Sequence, residues 1–139
     1  MTTVATKLSP LNQLGHETVD VGTNSDESVD YPDIAKRVGQ QVSDGEVERG
    51  ILICGTGIGM AITANKYANV RAATCHDEIT AEMSRRHNDV NVLCLSGDML
   101  GQRSIDQLVQ LWITTEFEGG RHERRIDKIS DLENHAIDE

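Results

Sequence analysis

Gly50-Ile51-Leu52-Ile53-Cys54 is an unbroken apolar run that stops at the glycine turn Gly55-Thr56-Gly57-Ile58-Gly59. An apolar run without alternation marks a strand buried on both faces, and such strands belong to parallel sheets covered by helices. Helical spacing follows over Gly57–Tyr67, so the stretch predicts strand, tight turn and helix. The same unit recurs downstream. Val70–Thr74 predicts a strand, and Asp77 caps a helix through Ile79, Met83 and Arg86 that ends near His87-Asn88. Asn91–Leu95 predicts the next strand, and helix Gly101–Thr115 presents Ile105, Leu108, Val109 and Trp112 to a core. A loop over Glu116–Gly120 leads to a last charged helix from Arg121 to about Leu132.

Upstream the signals are shorter. Leu8, Leu11 and Leu14 suggest the last turns of a helix over Pro10–Leu14, with Gly15 as its C′ residue. His16–Gly22 alternates and predicts a short strand, and Asn24–Asp30 is a polar loop. Asp30-Tyr31-Pro32 reads as a helix entry, followed by Ile34, Ala35, Val38 and Val42 on one face and an exit at Gly45. Strand–helix alternation of this kind in one domain of 139 residues implies an α/β, Rossmann-like three-layer sandwich: a mostly parallel sheet with helices on both faces. The opening strand such a domain normally has is expected to be missing, because Val4-Ala5-Thr6 is short and weak. Residues 1–7 and 133–139 read as loose ends.

In open parallel sheets ligands bind at the carboxyl ends of the strands. Cys54, the Cys75–Asp77 turn and the Ser96–Asp98 turn all lie at that edge. The glycine turn is not a dinucleotide fingerprint, since Met60 stands where G-x-G-x-x-G needs glycine, and no Lys-Ser/Thr pair makes it a P-loop. It leaves either a plain tight turn or backbone N–H groups that cradle an anion. Cys54 is either inert core or a thiol at a helix start, where the dipole favours the thiolate as nucleophile or base. With three cysteines and no CxxC pair there is no disulfide framework, and Cys75 and Cys94 read as buried thiols. His87, in Arg85-Arg86-His87-Asn88-Asp89, is a helix cap or an acid/base group. Arg121 and Arg125 stand one turn apart on a helix face. They are either a solvated pair or a grip on a phosphate. His16, His76, His87, His122 and His135 show no ligand spacing for a metal. A net charge of −10 argues against nucleic acid as a partner. No apolar run is long enough for a membrane span, and the start has no signal core, so a cytoplasmic protein is the expectation.

Together these pieces resemble one family, the type B ribose-5-phosphate isomerases of the ribose/galactose-6-phosphate isomerase group. The matching stretches are Leu14-Gly15-His16-Glu17, Ser28–Asp33, Gly50–Gly59, Arg71-Ala72-Ala73, His87-Asn88-Asp89 with Asn91-Val92-Leu93, and Thr115–His122 with Arg125. They run in the family's order from about residue 8 to 130. The resemblance implies a cytoplasmic homodimer, or a tetramer, with active sites between subunits and no metal or cofactor. It implies an aldose–ketose isomerisation of a sugar phosphate through an enediolate, as in the pentose phosphate pathway. By position, Cys54 is the base that moves the proton between C2 and C1. Thr56 and the amides of Gly55, Gly57 and Gly59 hold the enediolate oxygen. His87 helps open the furanose ring with Asn88 nearby, Arg121 and Arg125 hold the phosphate, and Tyr31 lines the pocket.

Two departures stand out. The family's first strand carries a Gly-Ser-Asp-His-Ala-Gly segment that binds the sugar, and nothing here matches it; the expectation is a start placed downstream of it. Asp98 stands where many members carry an Arg that adds to phosphate binding. Ribose 5-phosphate and ribulose 5-phosphate are the expected pair. A six-carbon substrate, such as galactose or allose 6-phosphate, and an inactive phosphate-binding or dimerising module are the alternatives.

Overall fold

A computed structural model describes residues 2–4, 15–22 and 30–135. Among the described residues, five parallel strands make one sheet in the order β2-β1-β3-β5-β4: β1 (Thr2–Val4), β2 (Thr18–Asp20), β3 (Arg49–Cys54), β4 (Ala72–Thr74) and β5 (Val92–Ser96). The helices are α1 (Tyr31–Ser43), α2 (Ile58–Ala64), α3 (Glu78–Arg86), α4 (Gln102–Thr114) and α5 (Arg121–His135).

The two-residue period of the strands sorts the apolar side chains to two faces. Ile51, Leu93 and Leu95 pack with Ala81 of α3 and Ile105, Leu108, Val109 and Trp112 of α4. Leu52, Val92 and Cys94 pack with Ala35, Val38 and Val42 of α1 and Met60, Ala61 and Ala64 of α2. The result is the expected three-layer sandwich. Gly50 is needed inside β3, because a Cβ there would run into Val38 of α1. Asp30 stands at the N-cap position of α1 with Pro32 in the first turn, but its side chain makes no capping hydrogen bond; the Asp77 carboxylate does cap its helix, accepting from the Thr80 N–H at 2.7 Å.

The opening strand departs from expectation. It is short rather than absent: the three residues Thr2–Val4 pair with β2 on one side and β3 on the other. Pairing on both sides satisfies the backbone groups and outweighs the weak apolar signal. The Pro10–Leu14 helix and most of the 24–30 loop lie outside the described residues. Gly15 has φ +80°, the conformation expected of a helix C′ glycine. The last helix continues to His135, past the expected end near Leu132.

Candidate active site

At the carboxyl edge, β3 ends at Cys54 and the chain turns through Gly55-Thr56-Gly57 into α2. Gly57 is buried with φ +80°. A Cβ there would lie 3.1 Å from the Leu95 carbonyl carbon and from Thr74 Cγ2, so conformation and space both demand glycine. This bend turns the Gly57 N–H onto Cys54 Sγ at 3.2 Å. Thr56 Oγ1 accepts from the Ile58 N–H at 3.2 Å, which leaves its hydroxyl proton free to donate outward. The N–H groups of Gly55 and Gly59 donate to no group among the described residues. Of the three amides expected to hold an oxyanion, that of Gly57 is therefore already committed to the sulfur, while Gly55 and Gly59 are open. Cys54 is half-buried and Thr56 exposed.

The neighbouring turn after β5 is laced to this one. Gly97 N–H donates to the Cys54 carbonyl at 2.7 Å, and Ser96 Oγ donates to the Gly55 carbonyl at 2.6 Å while accepting from Met99 N–H at 3.0 Å. These bonds set the Asp98 carboxylate over Gly55, with Oδ2 3.0 Å from where a Cβ would stand. Tyr31, 46% exposed at the start of α1, lays its ring against Gly59 and closes the other side.

His87, Asn88, Arg121 and Arg125 stand elsewhere. His87 caps the C-terminus of α3 and precedes β5, so it lies at the amino edge of the sheet. The five residues of β5 put roughly 15 Å between the two edges. There the His87 ring stacks on that of His122 in the first turn of α5, with centroids 4.2 Å apart and planes at 12°. Glu118 Oε2 is 3.7 Å from His122 Nε2, and Arg86 reaches Glu118 at 3.6 Å and Glu82 at 2.7 Å. Burial holds the His122 pKa below the usual imidazole value, helped by His87 and Arg121. Arg121 and Arg125 are exposed, and neither enters an ion pair among the described residues. Asn88 is exposed and borders a cavity of about 470 Å³ between β4 and α5, lined also by Val70, Ala72, Ala73, Ile129 and Leu132.

Donor atoms of His87, Glu118 and His122 lie within 4.8 Å of one another, a set that in other geometry would suit zinc. An ion bound by two imidazoles must lie in both ring planes. Nearly parallel stacked rings offer no such point, and Arg86 already engages the carboxylate. Glu118 and His122 were not singled out as site residues from the sequence. Their i, i+4 spacing beside Gly119-Gly120 was the available signal.

A family profile described as Ribose/Galactose Isomerase matches residues 2–129. The chain is 44% identical over 123 residues to the ribose-5-phosphate isomerase B of Escherichia coli strain K12, covering 88% of this chain and 83% of that one. Its fold superposes on that of Clostridium thermocellum ribose-5-phosphate isomerase B with a TM-score of 0.90 at 39% identity, over 98% of this chain and 99% of the other. It also superposes on Mycoplasma genitalium ribose-5-phosphate isomerase B with bound ribulose-5-phosphate, at a TM-score of 0.85 and 39% identity over 96% and 93% of the two chains.

Proposed function

The chain belongs to the ribose/galactose isomerase family, and from that premise we propose that it interconverts ribose 5-phosphate and ribulose 5-phosphate through an enediolate. The observation that carries this reading is the Cys54 thiol held at 3.2 Å by the Gly57 amide, beside a turn with open N–H donors. Cys54 as thiolate takes the proton from C2 of the open-chain aldose. The C–H electron pair forms the C1–C2 double bond, and the carbonyl electrons move to O1. The Thr56 hydroxyl and the Gly55 and Gly59 amides face the oxygen where that charge develops. The O2 proton passes to O1, and Cys54 returns its proton to C1 to give the ketose. Before this, His87 protonates O4 as the C1–O4 bond breaks, and the O1–H proton passes to solvent water as the O1 electrons form the aldehyde carbonyl. Tyr31 and Asn88 border the sugar.

Arg121 and Arg125 hold the phosphate. Among the described residues neither has an ion-pair partner; they stand one helical turn apart in a chain of net charge −10, and a dianion between them relieves their mutual repulsion. Asp98 over Gly55 opposes any anion at the cradle, a dianionic phosphate more than a singly charged enediolate, which supports placing the carbonyl end of the sugar there.

The two halves of this machinery lie at opposite edges of one sheet, which supports a homodimer in which one subunit's Cys54 turn meets the partner's amino edge. Tyr31 against the glycine turn, Ile58 and Ile62 on α2, Met99 after β5, and Ile129 and Leu132 on α5 are all exposed, as surfaces awaiting a second copy would be.

Cys54→Ala is expected to lower turnover at least about a thousandfold, as loss of a proton-transfer group does, with an unchanged far-UV spectrum. The assay follows ribulose 5-phosphate formation. A folded Cys54→Ala protein with wild-type turnover would reject Cys54 as the base. Parallel assays with galactose 6-phosphate and allose 6-phosphate are expected to give lower kcat/KM than ribose 5-phosphate.

A further inference from the structure

We propose that His122 is a positioning residue that fixes the plane of the His87 imidazole and leaves both His87 ring nitrogens open to the sugar, an inference that rests on the ring-opening role of His87. The His87 ring makes no side-chain hydrogen bond among the described residues; it is held by its face, against His122, at 4.2 Å and 12°. A group that must deliver a proton in the plane of its ring gains from restraint that leaves its nitrogens free. Stacking supplies that restraint, whereas a hydrogen bond would occupy one nitrogen.

His122 is itself held. It is 8% exposed, its N–H donates to the Gly119 carbonyl at 3.1 Å, and its Nε2 faces the Glu118 carboxylate at 3.7 Å. Glu118 is anchored in turn, with its N–H donating to the Arg86 carbonyl at 3.1 Å and its carboxylate facing the Arg86 guanidinium. Gly119 and Gly120, at φ +71° and +58°, turn the chain so that α5 begins with His122 above His87. The charged groups facing the stack are Glu118 and Arg86, with Arg121 and Arg125 from α5. Burial first, then His87, Arg121 and Arg125, favour neutral His122 over Glu118's opposing pull. A neutral ring under a protonated one presents its electron-rich face and does not repel it.

The test uses the full chain with His122→Phe, which keeps an aromatic face, and His122→Leu, which fills the space without one. Two reactions are compared. Forward isomerisation of ribose 5-phosphate needs ring opening. Exchange of a C1 proton of ribulose 5-phosphate with heavy water does not, because a ketose phosphorylated at O5 has no furanose form. The expected result is that His122→Leu slows isomerisation roughly tenfold or more, leaves the exchange near wild type, and abolishes the ring-current shift of the His87 Cε1 proton. His122→Phe is expected to keep the shift and restore most of the forward rate. Equal rates for the Leu and Phe variants, or equal losses in both reactions, would overturn the positioning role. His87→Ala is run alongside: if it isomerises as fast as wild type, the ring-opening role of His87 fails, and this inference with it.

Discussion

The three thiols of this chain have three different settings. Cys94 is fully buried in β5, and burial pushes its pKa far above the ordinary value of 9.0, with Cys54 and Cys75 adding to the rise. Burial also raises Cys75, against hydrogen bonds from Ser84 and Thr80 that pull it down. Both groups hold their protons more tightly folded than unfolded. The stability this gives is fully present below the unfolded value near 9.0 and is lost as pH rises above it. For Cys94 the slope is up to about 1.4 kcal/mol per pH unit. Cys94→Ala is therefore expected to lower Tm at neutral pH while flattening its fall above pH 9.0, measured by calorimetry across that range. An equal fall in wild type and variant would rule Cys94 out as its source. The sequence was legible here: three thiols near strand ends, two of them core, with Cys54 at the turn. The His87–His122 stack was not, because it joins residues from two elements whose approach depends on the two left-handed glycines between them.

At the scale of the element, the start of α2 is a single device. Gly57 bends the chain, satisfies the strand end through its neighbours and aims an amide at sulfur. Gly57→Ala is expected to destabilise the fold by roughly 2 kcal/mol or more, from left-handed strain plus crowding against Leu95 and Thr74, and to lower turnover beyond any loss of folded protein. Asp77→Ala removes only a cap, and should cost about 1 kcal/mol with turnover of the folded fraction intact. Urea melts and assays on both variants separate the two roles; intact turnover in folded Gly57→Ala would show that the amide does not matter to the thiol. Cap positions and apolar faces were readable because they are local. Element ends were less so. The helix after the glycine turn stops at Ala64 rather than Tyr67, because Asn65 bridges to both backbone groups of Ala72 at 2.8 and 2.9 Å. The strand expected over Val70–Thr74 starts only at Ala72, since Val70 N–H goes to Tyr67 and Arg71 N–H goes to Asn91 Oδ1. Only Asn91 is remote in sequence; the Asn65 and Tyr67 contacts are local, but they are made by a side-chain amide and a turn that apolar periodicity does not record. The polar strand β1 likewise exists through its two neighbours.

Across the whole molecule, the sheet separates the two groups that the proposed chemistry joins. Residues that end strands gather at one edge and residues that end helices at the other, so Cys54 and His87 never meet within a chain. In a homodimer with sites between subunits, mixing Cys54→Ala with His87→Ala protein re-forms one intact site in each hybrid. A one-to-one mixture, after subunit exchange, is expected to recover about a quarter of wild-type activity from two inactive parents. No recovery, with exchange verified by mass, would exclude a site built from both subunits. This edge rule was available from strand–helix alternation alone. The distance it imposes became concrete only with β5 set between β3 and β4.

The amino edge also holds Trp112, fully buried at the end of α4 with the Arg49 and Arg85 guanidinium carbons 5.4 and 5.9 Å from its ring. It is the one tryptophan in the sequence, so all indole emission comes from a single address. Light from that address reports whether α4 is seated on the sheet beside the α3 end from which His87 projects. The chain thus carries its own optical gauge of the amino edge, one that needs no label and does not look directly at the thiol.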